Sequence, residues 1–85
     1  MTTHFDQEAV AIGRAVRGAI ATAGLTVTEA AEQTRIPFRT LSRRVNGTLP
    51  FTFPELVRVA EVCGTRVSDL AAAAERIIER SGDAA

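Results

Sequence analysis

An all-α domain of five short helices is the fold this sequence predicts, on three observations. Apolar residues recur at spacings of three and four, not two. Gly, Pro and Asn break the chain at short intervals. No segment alternates in the manner of a half-buried strand. With 85 residues, one small domain spanning positions 1–85 is expected.

The first helix is expected from about Asp6 to Ala23. Phe5, Ala9, Ile12, Val16 and Ile20 form one apolar face. Asp6 and Glu8 suit its start and Gly24 the position past its end, while Gly13 and Gly18 weaken it slightly. The second helix runs from about Val27 to Thr34. Thr26 caps it, and Glu29 completes a capping box. Its apolar side is Val27, Ala30 and Ala31.

The third helix starts near Pro37 and stops at Asn46-Gly47, and a loop follows through Phe51. The fourth opens with Thr52-Phe53-Pro54-Glu55, a second capping box, and ends at Gly64. Leu56, Val59, Ala60 and Cys63 are its buried stripe. The fifth runs from about Ser68 to Arg80. Leu70, Ala74 and Ile77 form a stripe that Ile78 and the run 71–74 widen, and residues 81–85 read as a loose tail.

Composition narrows the function. Apolar residues make up 46% of the chain, but no run of about 20 exists, so no membrane span and no membrane partner are expected. The polar start, Met1 to Glu8, is no secretory leader. Cys63 is the only cysteine, which excludes an internal disulfide and makes a reducing, cytoplasmic setting the expectation. It occupies an apolar position and reads as a small core residue. His4 is the only histidine and lies near the terminus. These two residues supply no Cys–His dyad, no Ser–His–Asp triad and no zinc set. No catalytic residue, cofactor or metal is therefore expected, and the chain does not read as an enzyme.

Charge is informative by place. Ten basic residues balance ten acidic ones, and all ten basic residues are Arg. Four of them, Arg35, Arg39, Arg43 and Arg44, fall within residues 33–54, which contain no acid until Glu55. A neutral chain with one basic segment can bind a polyanion through that segment.

The second and third helices are joined by a tight turn, which permits a helix-turn-helix over about 26–46. At 100° per residue, Phe38, Arg39, Ser42, Arg43 and Asn46 fall within about 140° of one another. Leu41 and Val45 lie outside that arc, with Ile36 of the turn beside them. The outer face suits a DNA major groove, where Arg bonds guanine O6 and N7 in bidentate fashion. Phe38 either touches a thymine methyl or tucks into the core beside Val45. Arg44 lies off the arc; it either reaches a phosphate or pairs with an acid elsewhere in the domain. The start of the second helix, with Thr26 and Thr28, and the Gly47-Thr48 loop offer backbone N–H groups to phosphates. Arg14 and Arg17 of the first helix are further candidates for the DNA backbone.

Gly24-Leu25-Thr26-Val27-Thr28-Glu29-Ala30-Ala31-Glu32, followed by Ile36-Pro37-Phe38-Arg39-Thr40-Leu41-Ser42-Arg43-Arg44-Val45-Asn46-Gly47, resembles the helix-turn-helix of the lambda-repressor-like family, the Cro and cI type. Ile12-Gly13, Arg17, Pro54-Glu55-Leu56, Val59-Ala60 and Ser68-Asp69-Leu70 resemble its flanking helices, so the likeness covers roughly 12–70. It implies a compact five-helix lambda-repressor-like domain that binds operator DNA. By position, Phe38, Arg39, Ser42 and Arg43 would face bases. Thr26, Val27, Asn46 and Thr48 would lie near phosphates, joined on the residue reading by Thr28 and Arg44. Val27 stands where the family often has Gln, Arg35 where it often has Gly, and Arg44 where it often has an apolar residue. Ala31 matches, and its small side chain lets the two helices approach.

The expected function is sequence-specific regulation of transcription, as a phage-type Cro or immunity repressor that occupies an operator. The alternative is a protein-interaction module of the same fold, an antitoxin subunit or antirepressor. The expected partner is double-stranded operator DNA, bound by a homodimer or a monomer. Ile78 and the Ala71–Ala74 face serve either a second copy or the domain's own first helix.

Overall fold

The computed structural model describes residues 4–84 and the side chains of residues 7–82. Among them are five helices and no strand: α1 (His4–Thr22), α2 (Val27–Thr34), α3 (Phe38–Val45), α4 (Phe53–Cys63) and α5 (Val67–Ala84). No single helix among the described residues is long and apolar enough to cross a membrane.

Local chemistry sets most of the boundaries. Thr26 accepts the Glu29 N–H at 3.1 Å, and Glu29 Oε1 accepts the Thr26 N–H at 2.8 Å. Thr52 and Glu55 repeat the arrangement at the start of α4. Each such cap stabilises its helix by about 1 kcal/mol. Gly24, Gly47 and Gly64 have positive φ and close α1, α3 and α4. At each, paired backbone bonds satisfy the last carbonyls; at α3 these are Thr48 N–H to Arg43 O and Gly47 N–H to Arg44 O.

Two boundaries differ from expectation. α1 begins at His4 and ends at Thr22, two residues earlier at the start. The Phe5 side chain lies outside the described ones. α5 continues through Ala84, where a tail from Ser81 was expected; Ala85 lies outside the described residues. Gly82 is tolerated because a single glycine costs a helix only about 1 kcal/mol.

The core sits where α1, α2, α3 and α4 meet. Val16, Leu41 and Val59 are fully buried, joined by Ile20, Ile36, Val45 and Leu70. Burying each large aliphatic side chain contributes about 2 kcal/mol relative to exposure. A second cluster, Ala11, Ala15 and Ala74 with Ala73 and Ile77, joins α1 to α5 through small side chains. Ala74 thus covers the protein's own first helix, while Ala71 and Ile78 are exposed.

One contact fixes where α1 crosses α3. A Cβ at Gly13 would lie 2.6 Å from Val45 O and 2.8 Å from Arg44 O. One at Gly47 would lie 2.9 Å from Val10 Cα. Backbone therefore meets backbone at the C-terminal end of α3, and only glycine permits it.

Candidate nucleic-acid interface

α3 presents two chemically distinct faces. Leu41 and Val45 are buried, whereas Phe38, Arg39, Arg43 and Asn46 are exposed and Ser42 is half-buried. Arg39 and Arg43 form no ion pair among the described residues. Their guanidiniums stand on the outward face, four residues apart, as the wheel predicts. Phe38 is 52% exposed, so it does not pack beside Val45. Pro37 precedes α3 and supplies no side-chain cap, which leaves the first N–H groups of the helix open.

The turn that aims α3 is held by a threonine. Thr34 is buried, and its hydroxyl donates to Ala30 O at 2.7 Å and accepts the Ile36 N–H at 3.3 Å. Arg35 follows in the left-handed region at φ 62, the only non-glycine with positive φ among the described residues. The turn thus keeps the shape glycine would give it, at a cost of about 1 kcal/mol. Arg35 is exposed.

The expected phosphate-binding groups are placed unequally. Thr26 and Thr28 are exposed at the start of α2. The capping box uses the N–H groups of Thr26 and Glu29, so Val27 and Thr28 retain the free ones. Val27 packs against the core, which restricts it to its backbone N–H. At the far end of α3, Asn46 and Thr48 are exposed. Arg17 donates to Asn46 Oδ1 at 2.9 Å, bringing a cation from α1 beside the outward face. Arg14 is instead on the α5 side of α1.

Of the two readings of Arg44, the structure shows the pair with an acid. Its Nε donates to Glu55 Oε1 at 3.1 Å, and both side chains are largely covered. Taken out of this pair, Arg44 would leave the partly covered Glu55 carboxylate with the Thr52 N–H alone. Arg44 therefore belongs to the join between α3 and the cap of α4, not to the outward face. Burial pushes the Glu55 carboxyl up, but the Thr52 N–H and Arg44 together outweigh it and hold the pKa below the ordinary value.

Sequence reading missed two residues of this assembly. From the sequence Glu55 reads as a cap residue on the water-facing side of the fourth helix, whereas the structure covers it against Arg44. Gly13 was read as a weak helix residue, and nothing in a single sequence separates a glycine required for close approach from one that is not. Cys63 is half-buried against the core, and burial raises its thiol pKa, as suits a packing residue and not a nucleophile.

Comparison with known proteins agrees with this geometry. A family model described as helix-turn-helix matches residues 17–70, more than half of the chain. Comparison with curated proteins finds no match. Two solved structures of the clp gene regulator ClgR from Corynebacterium glutamicum are similar. One has a TM-score of 0.85 at 26% identity, covering 89% of this chain and 81% of the other. The second has a TM-score of 0.75 at 29% identity, covering 80% and 88%. With its turn held by Thr34, its arginines facing outward and this match over most of its core, the chain belongs to the lambda-repressor-like (XRE-type) helix-turn-helix family of DNA-binding transcriptional regulators.

Proposed function

We propose that this domain recognises a specific operator and represses transcription by occupying it, in the manner of a phage Cro or immunity repressor. The observation that carries the reading is the outward display of Arg39 and Arg43, which form no ion pair among the described residues, on a helix whose opposite side is buried. In this mechanism α3 enters the major groove. Arg39 and Arg43 read guanine edges, Phe38 contacts a thymine methyl, and Ser42 bonds a base edge. Thr26, Thr28, Asn46 and Thr48, with the backbone N–H groups of Val27 and Thr28, hold phosphates and set the register. Arg17 joins them through its contact with Asn46. A homodimer would read two half-sites about one helical turn apart.

The test is binding to operator-containing and random duplexes across a salt series. Each neutralised phosphate adds about 0.9 to the slope of log affinity against log salt. Arg39→Ala and Arg43→Ala are each expected to remove about 1–3 kcal/mol of discrimination while the melting temperature holds. Equal loss on every sequence would make them phosphate contacts. Salt-independent or absent DNA binding would favour the protein-interaction module.

A further inference from the structure

A cleft of about 550 Å³ opens between α1, α5 and the C-terminal corner of α4. None of its lining residues belongs to α2 or α3, so it is a surface separate from Arg39 and Arg43. Ala15, Leu70, Ala73 and Ile77 give it an apolar floor, with the half-buried Cys63 at one end. Three exposed arginines, Arg14, Arg76 and Arg80, stand around it and form no ion pair among the described residues. Its one acid, Asp69, is engaged by the Thr65 hydroxyl at 3.2 Å and the Arg66 N–H at 3.3 Å. Among the described residues the lining is thus net positive, three guanidiniums against one carboxylate.

Gly18 adds an independent observation. It lines the same cleft within α1, and a Cβ built there meets nothing within 4 Å. Gly13 is required by a neighbouring backbone, but Gly18 forgoes helix propensity for no contact inside the molecule. Its effect is to leave the α1 backbone open to whatever lies in the cleft.

We propose that this cleft binds an organic anion, a carboxylate or phosphate head on an apolar body of about ten heavy atoms, a size its volume accommodates. Arg76 and Arg80, one helical turn apart on α5, and Arg14 opposite them hold the head through their planar guanidiniums. The body lies along Ala15, Ala73 and Ile77, against Gly18.

The test titrates the full chain separately with decanoate, decyl phosphate, 1-decanol and inorganic phosphate. Amide shifts are followed by NMR, and the modification rate of Cys63 by a thiol reagent. Decanoate or decyl phosphate is expected to shift Gly18, Gly64 and Ala73 with Kd below about 1 mM and to slow Cys63 modification; the stronger of the two identifies the head. Arg76→Gln with Arg80→Gln weakens that binding about tenfold. Gly18→Leu abolishes it with the fold intact, because the position is open. Should Gly18→Leu fold poorly, the exposed arginine pair carries the test. Equal binding of 1-decanol, indifference to the arginine substitutions, or no shift with either anion up to about 5 mM would overturn the proposal. The last result would leave the cleft to a macromolecular partner.

Discussion

The two ends of α3 are held by opposite means. At its C-terminal end, Gly13 of α1 lies against the Val45 and Arg44 carbonyls, Gly47 lies against Val10, and Arg44 is paired with Glu55. At its leading end, Phe38 and Arg39 are exposed, Pro37 supplies no cap, and a left-handed Arg35 carries the turn. One end is clamped by backbone contact; the other, beyond the Thr34 corner, leaves its side chains exposed. A helix that must insert into a groove needs this asymmetry: the clamp fixes its angle, and the open end keeps its donors and cations available. Rigid placement from behind limits the ordering that binding would otherwise require.

Substitutions can break or sharpen this contrast. The largest effect is expected from Gly13→Ala, whose new methyl collides with a carbonyl oxygen. Destabilisation of about 3 kcal/mol should appear in urea unfolding, whereas Gly18→Ala at the open position of the same helix should stabilise by up to about 1 kcal/mol. If both substitutions raised the midpoint, the clamp would be disproved.

Glu55→Ala comes next. It removes the α4 cap and strands a half-buried Arg44, for a loss of about 2 kcal/mol. The same pair gives a pH signature. The folded-state pKa of Glu55 is depressed, so its contribution is present above the ordinary glutamate value of 4.5 and fades as pH falls through the lowered one. Unfolding midpoints should drop on acidification below that value, and Glu55→Gln should flatten the drop.

The smallest effect is expected at the leading end. Arg35→Gly relieves the left-handed conformation but enlarges the unfolded ensemble, leaving a net gain of a few tenths to about 1 kcal/mol. A loss of stability would mean that the Arg35 side chain contributes to the turn.

The contrast also separates what the sequence reveals from what it hides. Local signals at both ends were legible. Two Thr-x-x-Glu boxes, the Pro37 start and the Asn46-Gly47 stop announce themselves through local chemistry, and the wheel sorts Arg39 and Arg43 from Leu41 and Val45. The clamp was not legible. Its pairs, Gly13 with Val45, Val10 with Gly47, Arg17 with Asn46 and Arg44 with Glu55, are distant along the chain and exist only once the helices cross. The exposure of Phe38, left open by the wheel because the residue borders both faces, was likewise decided by tertiary packing. The end of α5 escaped for another reason: Ser81-Gly82-Asp83 has the composition of a tail, and no proline or strong stop forbids another turn of helix.

The corner that Thr34 closes has a consequence for how the unit opens. Because the Ile36 amide hydrogen is taken by a buried hydroxyl that itself reaches back into α2, neither group depends on solvent for satisfaction. Deuterium should therefore enter at that amide only when the pair of helices comes apart as a whole, so its exchange rate would gauge their joint opening.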